Sequence, residues 1–199
     1  MTDTPAVAHS LAEAYLYLMA TPCRACGKGP LWGGAARGVA AAEGGWIMRI
    51  PATCGACQAA SEHAFRLLRR PDPREGEHIA AVVNPTDEPS RLIDVAQWIT
   101  LFRMITEAAA RETDKIEARH MGLEAAQCLE EALKFYDDAD NDLPPAEAFF
   151  HHTSRERFRA QPEQFSRRRL LDLRSKLPSM TVMRARLKAP RKKPWWRRS

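Results

Sequence analysis

Cys23-Arg24-Ala25-Cys26 and Cys54-Gly55-Ala56-Cys57 are two C-x-x-C turns near the start of the chain. Each such turn directs two sulfurs toward one point, and two of them face to face form a four-cysteine cage for a metal ion. Gly27, after the first pair, and Gly55, inside the second, are expected to supply the positive φ of a tight metal knuckle. Arg24, Lys28 and Arg49 are placed to offset thiolate charge. An all-cysteine donor set closes a tetrahedral shell, whereas a catalytic zinc keeps one position for water, so the expected ion is structural Zn²⁺. Iron in the same four-thiolate setting, thiol redox chemistry and a metal-free site are the alternatives. No βαβ pattern accompanies the pairs, which weighs against a redox enzyme.

The knuckles read CRACGKG and CGACQ, and short apolar runs flank the second: Gly45-Trp46-Ile47-Met48-Arg49-Ile50 before it and His63-Ala64-Phe65-Arg66-Leu67-Leu68 after it. This stretch, about residues 20–70, resembles a zinc ribbon. The 27 residues between the pairs exceed the spacing of a compact module, so a longer hairpin must fill the gap. Zinc ribbons serve nucleic-acid machines and protein assemblies alike, so the resemblance implies a fold and a structural metal, not one activity.

Other chemistry-bearing residues give weaker signals. Glu117 and His120 have the E-x-x-H spacing of di-iron bundles, but no second pair occurs, and a solvated helix face is the expectation. Asp138, Asp140 and Asp142 alternate like the start of a calcium loop, yet Leu143 and Phe149 occupy the positions that need Gly and Glu. Cys128, among Ala125, Leu129 and Ala132, is expected to be a small buried side chain. His151 and His152 beside Glu147 read as a surface turn, and His63 as a strand residue that could support the cysteines. Phosphate-loop, G-x-S-x-G and H-E-x-x-H motifs are absent from the sequence, so no motif supports an enzyme.

Charge is strongly segregated. Residues 1–90 hold 8 basic and 9 acidic side chains, residues 91–154 hold 6 and 13, and residues 155–199 hold 16 and 3. Arg167, Arg168, Arg169, Arg191, Lys192, Lys193, Arg197 and Arg198 can neutralise phosphates, and Trp195 and Trp196 can stack on unpaired bases, which favours RNA over duplex DNA. The competing reading is a protein-binding adaptor, with the acidic middle region and Trp32, Trp46 and Trp98 as interface residues. A solubilising tail, a tail folded back on the acidic region and contact with an anionic membrane surface are further readings.

These residues need a scaffold, and the expected class is α+β: a small zinc-ribbon β module, a helical lobe and a basic, extended or disordered tail. The expected division is an N-terminal helix (1–20, helical from about Ala6), ribbon (21–70), connector (71–88) with a strand from His78 to Val83, helical lobe (89–178) and tail (179–199). Within the lobe, one helix is expected from Pro89 or Ser90, carrying two apolar stripes. A second starts at Asp114 with capping-box spacing to Glu117 and runs to Asp137-Asp138. A short turn over Ala146–Phe150 follows, then a helix capped by Thr153 and Glu156, and a last one over Glu163–Lys176. A hydrophobic content of 45% allows a packed core, and no run reaches the roughly 18–20 apolar residues that cross a bilayer. No Lys or Arg precedes Arg24, so the basic region of an export signal is missing, and a cytoplasmic location is expected.

Overall fold

A computed structural model describes residues 5–40, 45–67, 70, 82–136 and 141–178. The fold is α+β, with a mixed five-stranded sheet that carries the cysteines followed by a helical lobe. The sheet comprises β1 (Ala6–Ala8), β2 (Leu31–Gly33), β3 (Arg37–Ala40), β4 (Trp46–Cys54) and β5 (Ala60–Leu67). β4 is central: β5 runs antiparallel along one side, and β2 and β3 both pair antiparallel along the other. β1 adds in parallel to the far side of β5, with Ala6 opposite Phe65.

β1 corrects the expectation of a helix from Ala6. Helix α1 spans Leu11–Ala20, because Ser10 is extended and its Oγ accepts the Glu13 N–H at 3.0 Å. The Glu13 carboxylate reaches back to the His9 N–H at 2.5 Å, so a Ser-x-x-Glu device fixes the helix start and leaves Ala6–Ala8 free to pair.

Alternation along β4 buries Met48, Ile50, Ala52 and Cys54 and exposes Arg49 and Thr53. The buried side packs with Leu31, Phe65 and Leu67 against Ala14 and Leu18 of α1. Ala12, Leu16, Tyr17, Met19 and Ala20 of the same helix pack against the helical core. α1 therefore joins two hydrophobic clusters, which explains a ten-residue helix with apolar residues on more than one side.

The lobe is built on α2 (Val95–Arg111), α3 (Lys115–Leu133), α4 (His152–Ala160) and α5 (Arg167–Ser175). α2 begins later than Pro89 or Ser90 because Asp94 and Gln97 form a reciprocal capping box, with bonds of 2.9 and 3.0 Å, while Ser90 Oγ holds the turn before it. The second oxygen of Asp94 accepts the N–H groups of Phe150 and His151, at 3.1 and 3.4 Å, where α4 starts. One buried carboxylate thus caps α2 and anchors the two residues before α4. Thr153 consequently lies inside α4 and is not its cap, a correction to the expected capping box.

Asp114 caps α3 as expected, although the helix ends at Leu133. The last helix divides into a 3₁₀ turn, Pro162–Phe165, and α5, which Ser166 caps. Most of the expected strand from His78 lies outside the described residues, and Val82 and Val83 are not in a strand. Trp98, Ile99, Leu101 and Phe102 of α2 and Ala125, Cys128, Leu129 and Ala132 of α3 form the lobe core. Phe149, Phe158 and Phe165 close it with ring centroids 4.5–5.5 Å apart.

Candidate metal centre

The two knuckles are built alike. In the first, the Cys23 N–H donates to Lys28 O at 2.6 Å and the Gly27 N–H to Cys23 O at 2.8 Å. In the second, the Cys54 N–H donates to Ala59 O at 3.0 Å and the Gln58 N–H to Cys54 O at 2.9 Å. The residue after each second cysteine takes positive φ: 69° at Gly27 and 60° at Gln58. Gly55 is therefore not the left-handed residue of its knuckle, contrary to expectation. It is a glycine by proximity, since a Cβ there would lie 2.7 Å from Trp32 Nε1.

Strand pairing brings the knuckles together. The chain leaves the first knuckle directly into β2, where Leu31 is opposite Cys54 and Pro30 O accepts the Gly55 N–H at 2.9 Å. That register sets Cys23 and Cys26 beside Cys54 and Cys57. The Cys23 and Cys57 sulfurs are 3.8 Å apart, those of Cys26 and Cys54 are 3.7 Å apart, and all four lie within 4.8 Å of one another. A disulfide needs sulfurs at about 2.05 Å, so these are free thiols. Tetrahedral coordination with metal–sulfur bonds of about 2.3 Å places sulfurs about 3.8 Å apart. The two close separations match that edge, so this cluster can hold a metal ion.

Electrostatics favour a cation at this point. Cys54 is lowered to about 7 by the backbone N–H groups of Cys57 and Ala56, the latter 3.4 Å from its sulfur. The Ala59 N–H acts in the same sense on Cys57, but Cys26, desolvation, Cys54 and Cys23 outweigh it and push that thiol up to about 12. Four sulfurs this close cannot all ionise on their own, and a bound dication removes the conflict. Arg49, one of the expected charge-offsetting residues, pairs with Glu62 at 2.9 Å.

His63 is half-buried in β5 opposite Ile50, with Nε2 3.1 Å from Ser61 Oγ, and it is outside the four-cysteine group. Burial, then repulsion from Arg24, holds its pKa below the ordinary histidine value. Among the described residues no other group of three or more His, Cys, Asp or Glu converges in this way.

The remaining candidates lie apart from the cysteines. Cys128 is fully buried, and desolvation raises its pKa. The Asp142 carboxylate accepts the Arg168 N–H at 2.9 Å, and its backbone carbonyl accepts the Arg167 N–H at 2.7 Å, so it caps α5; the Arg168 N–H, then Ser166, lower its pKa. Asp138 and Asp140 lie outside the described residues. His120 Nδ1 is 3.6 Å from Glu117, and His152 is 3.3 Å from Glu156. Arg168 and Arg169 are exposed on the first turn of α5 and Arg167 is half-buried, while Arg191, Lys192, Lys193, Trp195, Trp196, Arg197 and Arg198 lie outside the described residues.

Trp98 is fully buried in the first turn of α2, which removes it from any interface; Trp46 is half-buried beneath Arg70, at 5.3 Å, and Trp32 is 54% exposed. Sequence reasoning missed the Asp94–Gln97 and Ser10–Glu13 caps, although both have recognisable spacing. No described helix is long and apolar enough to cross a membrane.

No protein-family model, curated protein or solved structure matches this chain, so the reading of the site rests on its own geometry.

Proposed function

We propose that this is a non-enzymatic zinc-ribbon accessory factor that binds nucleic acid, with RNA favoured, through its basic carboxy-terminal region. The four cysteines hold a structural Zn²⁺ ion, and free thiols suit a reducing, cytoplasmic setting. One observation carries the nucleic-acid reading: 16 basic against 3 acidic side chains over residues 155–199. Exposed Arg168 and Arg169 lie within this region, on the first turn of α5. Lys and Arg on phosphates release counterions, so affinity falls steeply with salt.

Deleting residues 180–199 is expected to weaken RNA binding, lower the salt needed to elute the protein from heparin and flatten the salt dependence. Equal retention of full-length and truncated protein in low salt would overturn this reading. A second reading, a protein-binding adaptor, is favoured by a groove of about 640 Å³ on the lobe, lined by Pro89, Phe135, Pro145 and Phe150 between Glu88 and Glu147. Purification at two salt concentrations separates the readings: nucleic acid lost at high salt supports the first, and a stoichiometric protein retained at high salt supports the second.

A further inference from the structure

The side of the sheet turned away from α1 gathers three exposed arginines and an exposed tryptophan. Along β4, Ile47, Arg49, Pro51 and Thr53 alternate with the buried residues and point outward. Register sets Arg37 of β3 directly opposite Arg49 on this side. Arg66 of β5 is opposite Ile47, and so stands on the same side one diagonal step from Arg49. Trp32 is opposite Thr53 and completes the face at its cysteine end. All three arginines are exposed, as is Trp32 at 54%. Glu62 pairs with Arg49, whereas Arg37 and Arg66 have no ion-pair partner among the described residues.

Like charges directly opposite across a strand pair destabilise a sheet, and an exposed indole buries little apolar area. The opposed arginines work against folding, and Trp32, although its Nε1 edge covers Gly55, leaves 54% of its surface exposed. Together they match a ligand that brings anionic oxygens and flat aromatic faces in one molecule.

We infer that this outward face binds single-stranded nucleic acid, with Arg37, Arg49 and Arg66 on phosphates and Trp32 stacked on a base. The inference rests on the nucleic-acid reading above but places a second contact on the sheet, independent of the carboxy-terminal region. Charge complementarity alone would admit an acidic peptide; the indole favours bases, because every base offers a π-face.

The test uses the full chain, a fluorescein-labelled 20-mer of oligouridine, and anisotropy across a salt series. The double variant Arg37→Ala/Arg66→Ala is expected to lower the slope of log affinity against log salt by about 1.4, at about 0.7 per phosphate contact on a single strand, with an unchanged or raised melting temperature. Trp32→Leu is expected to weaken oligouridine roughly 5- to 150-fold while leaving affinity for inorganic polyphosphate unchanged. A wild-type slope and affinity in the double variant would overturn the inference. So would equal weakening of both probes by Trp32→Leu, or polyglutamate binding as tightly as oligouridine and equally sensitive to the arginine changes. If deleting 180–199 abolishes binding while the double variant binds normally, the sheet contact is wrong and the tail reading stands. The reverse pattern leaves the sheet contact standing and removes the tail.

Discussion

Gln58 occupies the same place in its knuckle as Gly27 does in the other, at φ 60° against 69°. A non-glycine residue in the left-handed region costs roughly 1–2 kcal/mol, partly offset by the roughly 0.5–1 kcal/mol that a glycine loses in chain entropy. Gln58→Gly should therefore stabilise the protein by up to about 1 kcal/mol, a rise of about 2–4 °C in melting temperature, and Gly27→Ala should lower it. Thermal melts followed by circular dichroism check both, and a destabilised Gln58→Gly protein would contradict the account. Asp94 illustrates a different economy of placement. Its two oxygens accept N–H groups from the starts of α2 and α4, residues 56 and 57 positions apart in one case and 3 in the other. Only its capping of α2 has a sequence signature.

Among the elements, β2 decides whether a cluster exists at all. It has three residues, too few to persist alone, and it is held by pairing with Ala52, Thr53 and Cys54 at the end of β4 and by the knuckle that precedes it. A metal bound by the four cysteines and the strand register would therefore support each other. Structural zinc sites contribute apparent binding energies of about 10–16 kcal/mol, comparable with the roughly 5–15 kcal/mol that holds a whole domain folded. Chelation, or Cys54→Ser, is expected to release the metal and unfold the sheet. Metal content by atomic emission and the near-ultraviolet signal check this; a wild-type protein that is fully folded and metal-free would refute it. The α5 cap shows the same dependence on remote chain. Three arginines in a helix's first turn oppose its dipole, and Asp142 supplies the compensating negative charge from a distant loop.

For the whole molecule, the junction between sheet and lobe is the sensitive region. Ser10 Oγ donates to Val83 O at 2.5 Å, the Val83 N–H donates to Gln127 at 3.1 Å, and Asn84 donates to Glu131 at 3.1 Å. Glu131 also pairs with Lys134 at 2.7 Å, and His9 with Glu13 at 3.1 Å. The bond to Glu13 raises His9 above its ordinary 6.5, against an opposing effect of burial. Desolvation raises Glu131 above 4.5, opposed by Lys134 and Asn84. Both groups hold protons more tightly folded than unfolded. Their contribution is complete at low pH and is lost as pH rises, for Glu131 from about pH 4.5 and for His9 from about pH 6.5 upward. Stability at this junction should thus be greater near pH 6 than near pH 8. His9→Gln, which cannot titrate, should flatten the decline above neutrality and cost about 1.5–3 kcal/mol at pH 6, as expected for a hydrogen bond to a charged group. Denaturant melts at both pH values measure it, and an unchanged pH slope in the variant would exclude His9 as the cause.

Local chemistry and periodicity were enough to identify the four cysteines, the antiparallel strands around them, the Asp114 helix start and the burial of Cys128, because each depends on residues close together in the chain. The parallel pairing of β1, the bonds from Asp94 to Phe150 and His151 and the assignment of Asp142 to α5 came only from tertiary structure. Each joins groups far apart in sequence, and propensity carries no information about which distant partner will satisfy a given N–H. The convergence itself lies between these limits. Cysteine spacing implies that two knuckles can meet, but the register that seats Leu31 opposite Cys54 decides that they do.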